Sequence, residues 1–150
     1  MSVKVTDLGM KKALSRDREI DGLTIEGGVV SDRARYPDGT RVVDVAIYQE
    51  YGTPTIQPRP FIGPVFAKND RIYARMMANL FATAKDARDA EFKAVKIAQK
   101  MQKDLLDYFD RVNQPALAQS TIDAKGSDKP LVDTGRLRRH IQAVVYKGDS

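Results

Sequence analysis

Apolar residues recur at helical spacing through the middle of the chain. Residues 64–84 begin with a proline that suits the first turn of a helix, and residues 87–112 carry apolar positions on one stripe with charges elsewhere. No Gly or Pro lies within 82–90, yet we expect a bend there between two long helices. The positions predicted to face the core are Val65, Phe66, Ile72, Tyr73, Met76, Met77, Leu80, Phe81 and Ala84, followed by Val95, Ala98, Met101, Leu105, Phe109 and Val112.

The segments before these helices follow a strand pattern. Residues 23–30 combine alternating and continuous apolar positions, which predicts a strand with a bulge at Gly27 and Gly28. The sequence Pro37-Asp38-Gly39 predicts a turn, because Pro presets φ and Gly accepts a positive φ. Residues 41–46 are therefore predicted to be the second strand of a hairpin.

A rigid, irregular segment is predicted between this hairpin and the first long helix. Residues 47–53 favour one helical turn that ends at Gly52. The prolines that follow fix φ and lack an N–H group, so they prevent regular structure. They are Pro54, Pro58, Pro60 and Pro64.

The two ends of the chain carry weaker patterns. Residues 5–20 predict a short amphipathic helix. Residues 126–130 predict an exposed loop, after which Thr134 is predicted to cap a short helix over residues 135–141. Residues 142–147 alternate in polarity and predict a last strand.

These elements predict a single α+β domain over residues 1–150, in which a small antiparallel or mixed sheet of three to four strands packs against two long helices. The chain contains no Cys, which excludes disulfides, thiolate zinc sites and Cys nucleophiles. It has neither the apolar segment of a signal peptide nor a run long enough to span a bilayer. We therefore expect a soluble protein without a membrane partner.

The charge balance permits nucleic-acid binding without requiring it. Lys and Arg number 25 against 20 Asp and Glu, which gives a net charge of +5. The three arginines Arg136, Arg138 and Arg139 could hold phosphates, but no aromatic residues alternate with them. On one helical turn they project in different directions, and ion pairs within or between subunits are the favoured interpretation.

No catalytic motif is present, and no enzyme, cofactor or metal site is predicted. His140 is the one His of the chain and lacks the neighbours of a metal site or a catalytic triad. The pairs Asp17/Glu19 and Asp104/Asp107 lie among Lys and Arg and are most simply surface charges.

Two stretches carry unusual motifs. The first reads Tyr51-Gly52-Thr53, then Arg59-Pro60-Phe61, and the second reads Pro130-Leu131-Val132-Asp133-Thr134-Gly135-Arg136-Leu137. Together they resemble the head-to-tail joining, tail-completion or neck proteins of tailed bacteriophages, in which an aromatic-Gly-Thr element leads to a buried Arg-Pro-Phe, and a Pro-Leu-x-Asp-Thr-Gly-x-Leu element precedes a last helix and strand. The resemblance covers roughly residues 42–145.

The resemblance implies a structural virion protein, made in the host cytoplasm, that forms a ring at the neck or upper tail. Its expected partners are further copies of itself, six by resemblance with twelve as the alternative, and the adjoining connector and tail-tube or tail-terminator proteins. Passing contact with genomic DNA is also expected. The residues assigned to subunit contacts are Tyr51, Arg59, Phe61, Arg136, Arg138 and Arg139.

Three alternatives stay open at this point. Phe61 is as well suited to filling the core of its own chain as to a subunit contact. The chain as a whole could be a nucleic-acid-binding accessory protein that uses the 136–139 segment, or a hydrolase with an unrecognised carboxylate site.

Overall fold

A computed structural model describes residues 2–5, 20, 22–31, 33–112 and 135–148, with only the backbone described for 2–5. Among the described residues, two strands come first, four helices follow, and a third strand comes last. In chain order the elements are β1 (Ser2–Val5), β2 (Leu23–Val29), α1 (Val42–Tyr51), α2 (Gly63–Thr83), α3 (Ala87–Arg111), α4 (Arg136–Arg139) and β3 (Ile141–Lys147).

The sheet is antiparallel, with β2 between β1 and β3. The pairing of β2 with β3 runs from Leu23 opposite Lys147 to Val29 opposite Ile141. The mixed α+β class with an antiparallel sheet is thereby confirmed. The predicted bulge is wrong, because Gly27 and Gly28 each face a single partner residue on β3 and the register continues through them.

A glycine is needed at position 27 because the helix α3 approaches the strand closely there, not because of a bulge. A Cβ atom built on Gly27 would lie 2.5 Å from Met101 Sδ and 3.3 Å from Leu105 Cδ1, both on α3. Strand residues alternate between faces, so Ile25, Gly27 and Val29 share the face that α3 covers. Ile25 and Val29 are fully buried there. The missing side chain lets α3 lie nearer to the sheet than any larger residue would allow.

The two long helices are separate, as predicted. The helix α2 ends at Thr83 and α3 begins at Ala87, where the Asp86 carboxylate accepts a hydrogen bond from Asp89 N at 2.8 Å. The helix α2 packs on α3, and α3 packs on β2 and β3. Most of the predicted core positions are buried, but Ile72 and Val95 are 45% and 41% exposed, so their assignment to the core was wrong.

The second strand of the predicted hairpin is a helix. The turn at residues 37–39 forms, with Gly39 N donating to Tyr36 O at 2.9 Å, but only an isolated bridge joins Arg35 and Arg41 beyond it. From Val42 the chain enters α1, whose first turn is held by the Arg41 guanidinium on the Asp44 carboxylate at 2.7 and 2.8 Å. A short apolar run fits a strand and a buried helix equally well, so the hydrophobic pattern alone could not identify residues 42–46 as helical.

The ends of the chain match their patterns in part. Most of the predicted 5–20 helix, the 126–130 loop and Thr134 lie outside the described residues. The short C-terminal helix α4 covers only Arg136–Arg139, preceded by Gly135 at φ 69°. Ile141 belongs to β3, where it is buried, so that predicted helix ended too late.

Replacing Gly27 with Val tests the contact between the sheet and α3. The isopropyl group of Val would overlap Met101 and Leu105, and we therefore expect the free energy of unfolding to fall by about 1–3 kcal/mol. Chemical denaturation measures the change. Thr24→Val, on the opposite face of the same strand, is the control and should change stability little. Equal stability of both variants would contradict the close approach.

Candidate functional site

A buried carboxylate joins α1 to α2. Glu50 follows Val42 and Ala46 at intervals of four along α1, and all three are buried. One carboxylate oxygen accepts hydrogen bonds from Phe61 N at 2.8 Å and Ile62 N at 3.0 Å. The other accepts from Gly63 N at 2.7 Å. Glu50 therefore binds three successive backbone N–H groups at the start of α2.

The sequence at the start of α2 explains why this acceptor is needed. The helix begins at Gly63, its N-cap is Ile62, and no side chain of the segment caps it. The first N–H groups of a helix have no partner within the helix, and burying them without one is costly. A negative charge is also stabilised at the positive end of the helix dipole. Glu50 supplies both the acceptors and the charge from a different helix.

The loop of residues 52–62 folds back on α1. Gly52 ends α1 at φ 75°, and a Cβ atom there would lie 2.8 Å from both Ile56 O and Pro58 Cδ. Arg59 N donates to Gln49 O at 2.6 Å. As predicted, no regular structure forms among the prolines. The backbone of the loop is instead held at its beginning and near its end.

Phe61 lies in the core of its own chain. Its side chain is fully buried, and its ring meets that of Phe109 edge to face, with centroids 5.4 Å apart. Such a pair contributes about 1 kcal/mol beyond the burial of its area. Of the two roles that the sequence left open for Phe61, this burial supports packing in the core of its own chain.

Arg59 lies at the border between core and surface. Its side chain is partly exposed, while Nε is buried and makes no hydrogen bond within the described part of the chain. The neighbouring Gln49 Oε1 is likewise buried and unpaired there. The subunit-contact assignment of Arg59 stays a prediction.

The outer side of α1 carries exposed apolar residues. Ile47, Tyr48 and Tyr51 are 37%, 42% and 72% exposed, and intervals of three and four residues place them on one side of the helix. We call these three residues the α1 patch. Tyr51 was named from the sequence motif. Ile47 and Tyr48 were missed because residues 41–46 were interpreted as a strand, and a helical period continued through Tyr51 would have identified them.

The arginines of α4 diverge, as predicted. The Arg136 guanidinium donates to Arg35 O at 2.7 Å and lies 5.8 Å from the Tyr36 ring centroid. Arg138 forms a two-bond ion pair with Asp110, with both bonds at 2.8 Å, which raises the pKa of Arg138. Arg139 Nε lies 3.3 Å from Gly135 O. Each guanidinium has a different neighbour, so α4 presents no joint phosphate site.

Two of the remaining candidates for acid-base chemistry, Asp104 and Asp107, are held in ion pairs, whereas Asp17 and Glu19 lie outside the described residues. Asp104 accepts hydrogen bonds from Tyr73 Oη at 2.7 Å and Lys100 Nζ at 2.8 Å, and Asp107 is paired with Lys103. Burial, together with the bond to Asp104, raises the pKa of Tyr73. His140 Nδ1 lies 2.8 Å from Arg136 O.

Within the described ranges, no cluster of three or more His, Asp or Glu residues is placed to hold a metal ion. The helices of those ranges also include none with the length and apolar character needed to cross a bilayer. Comparisons with protein-family models, with curated proteins and with solved structures found no match for this chain. Its function therefore has to be inferred from its motifs and from the geometry around α1.

Glu50→Ala tests the junction of α1 with α2. The substitution removes the acceptor of three backbone N–H groups, and we expect it to lower the free energy of unfolding by about 2–4 kcal/mol. Glu91→Ala on the exposed surface of α3 is the matched control and should lie within about 0.5 kcal/mol of the wild type. Similar losses for both variants would contradict the capping role.

A double-mutant cycle makes the test specific to the carboxylate. A Cβ atom on Gly63 would lie 2.8 Å from Glu50 Oε1, so Gly63→Ala displaces that oxygen. We expect Gly63→Ala to destabilise the wild type clearly more than it destabilises Glu50→Ala, because the clash needs both groups. Additive effects in urea denaturation would show that the two residues do not interact.

Proposed function

We propose that this chain is a structural virion protein of a tailed bacteriophage, which forms a homo-oligomeric ring at the neck or upper tail and joins the head connector to the tail tube. It makes and breaks no covalent bond and uses no cofactor. Its neighbours in the virion are the connector and the tail-tube or tail-terminator protein. The resemblance of its two motifs to those of joining and tail-completion proteins is the starting point.

The observation that carries the proposal is the Glu50 junction. It fastens the Tyr-Gly-Thr element at the end of α1 to the backbone that follows the Arg-Pro-Phe element. The described part of the second motif also packs against α1, because α4 contacts α1 and its Leu137 is buried. Both motifs thus contribute contacts to α1.

A fixed helix with an apolar outer side suits contact between subunits. The α1 patch offers two tyrosines and an isoleucine, and aromatic residues of this kind dominate the binding energy of many interfaces. Because the backbone of α1 is already held, little order has to be gained on association. In a ring the patch of each copy meets a different surface of the next copy, six times around a closed circle.

The layered fold supports the same role. A small three-stranded sheet lies against two long helices, with α3 on β2 and β3 and α2 on α3 and β1, and one core ties these elements together. Arg59 and Arg139, at the edges of this unit, are assigned to polar contacts around the patch. The alternative of a nucleic-acid-binding protein that uses α4 is less well supported, because Arg136 and Arg138 are engaged within the chain.

The double substitution Tyr48→Ser with Tyr51→Ser tests the proposed interface. We expect the wild type to form higher oligomers as its concentration rises and the variant to stay monomeric, measured by light scattering during gel filtration. Both side chains are exposed, so the variant should keep the fold, with circular dichroism as the check.

Phe92→Ser is the matched control for this experiment. Phe92 is an aromatic residue of α3 with 61% exposure, similar to Tyr51, but lies outside the α1 patch. It should assemble like the wild type. A monomeric wild type at every concentration, or assembly of the double variant, would count against the proposed interface, and a failure of Phe92→Ser would place the interface on α3.

A further inference from the structure

The solvent side of α2 carries a stripe of cations. Lys68, Arg71 and Arg75 are all exposed, and their spacing of three and four residues places them on one side of the helix over about 10 Å. We call these three residues the α2 stripe. Ala82 is exposed on the same side and Ala67 and Ala74 on its flank, and their small side chains leave the charged groups accessible to a large partner.

The cations of the α2 stripe are not paired with any acid that the structure describes. None of their side chains forms an ion pair or hydrogen bond within the described ranges. The one acid of α2 is Asp70, whose carboxylate accepts a hydrogen bond from the backbone N–H of Arg71 at 2.6 Å. A helix turns by about 100° per residue, so Asp70 is rotated to the flank of the stripe.

The neighbouring helix α3 shows the opposite arrangement. Its acids Asp89, Asp104 and Asp107 are each paired with a lysine four residues away, which follows Asp89 and precedes the other two. Such pairs leave little net charge on the surface. Ion pairs thus balance much of the charge of α3, and the α2 stripe differs from it in this respect.

Part of α3 extends the cationic surface of α2. Met76 and Asn79 of α2 and Lys93 and Lys96 of α3 line one shallow groove between the helices. Lys93 is paired with Asp89, whereas Lys96 has no acidic partner in the described part of the chain and lies 4.9 Å from the Phe92 ring centroid. Lys96 is thus a further cation on this groove, which Met76 and Asn79 line one and four residues after Arg75.

We propose that the α2 stripe, together with Lys96, binds the phosphate backbone of double-stranded DNA without sequence preference. DNA carries one negative charge about every 1.7 Å along its axis, so a stripe of about 10 Å faces several phosphates. Arg71 and Arg75 present guanidinium groups whose planar donors match phosphate oxygens. Duplex DNA requires only charge and access, which this side of α2 offers.

An acidic protein partner fits the stripe less well. Stable protein interfaces need an apolar centre from which water is excluded, and beside the stripe a single large apolar side chain of α2, Ile72, is 45% exposed among small alanines. The stripe also lies on a different helix from the α1 patch. DNA binding by the α2 stripe would therefore use a different surface from ring formation, and each can be tested without the other.

The test uses the full chain and a fluorescein-labelled duplex of 30 base pairs of random sequence, with binding measured by fluorescence anisotropy at 50–200 mM NaCl. Three to four neutralised phosphates predict affinity that falls about 40-fold or more over this range. The triple variant Lys68→Gln, Arg71→Gln, Arg75→Gln should lose most of the binding and of the salt dependence. Its fold is checked by thermal melting, which we expect to be unchanged because all three residues are exposed.

A charge-matched control separates the stripe from net charge. The variant Arg33→Gln, Arg88→Gln, Lys103→Gln removes three exposed cations elsewhere and should retain most of the binding. If the triple α2 variant melts early, the single variants replace it, and each should reduce the salt slope by about 0.9.

Three outcomes would overturn the proposal. The wild type could fail to bind the duplex at 50 mM NaCl. The two triple variants could lose binding equally, which would indicate a net-charge effect. Poly-glutamate, tested as a second probe, could bind the stripe as tightly as the duplex, which would indicate an acidic protein as the partner.

Discussion

The three hydrogen bonds from the Glu50 carboxylate to the start of α2 are the constraint on which the arrangement of this molecule depends. A helix that begins Ile62-Gly63-Pro64 cannot cap itself, so its first N–H groups need an acceptor from elsewhere. Because that acceptor is on α1, the start of α2 fixes where α1 lies. The α1 patch lies on the exposed side of the same helix. The buried carboxylate of Glu50 therefore also fixes the position of the patch.

Small residues complete this arrangement at two places. Gly63 leaves room for a carboxylate oxygen of Glu50, and Gly27 leaves room for Met101 on α3. Each contact brings a helix closer to its neighbour than a larger residue would permit. The sheet, α3, α2 and α1 thus form a continuous series of contacts, and Phe61 against Phe109 links the loop of residues 52–62 to the same core.

The sequence predicted what depends on local pattern. The long helices, the break between them, the strand after Leu23 and the irregular proline segment all follow from periodicity and from Pro and Gly chemistry. It could not predict what depends on contacts between distant residues. The predicted strand of residues 41–46 lies almost entirely in α1, because Val42, Ala46 and Glu50 share the buried side of this helix. Glu50 can accept its hydrogen bonds only when the start of α2 lies beside it. The role of Phe61 could not be decided for the same reason. The cations of α2 that pair with no acid in the described part of the chain could be recognised only from positions in space.

The Glu50 junction also determines how the molecule would transmit a mechanical load. A force applied at Tyr51 reaches the long helix α2 through the adjacent residue Glu50, without passing along the loop of residues 52–62. The loop would be extended only after the bonds to Glu50, and that of Arg59 N to Gln49 O, had broken. This short connection from an exposed helix to α2 limits how far each subunit can stretch under load.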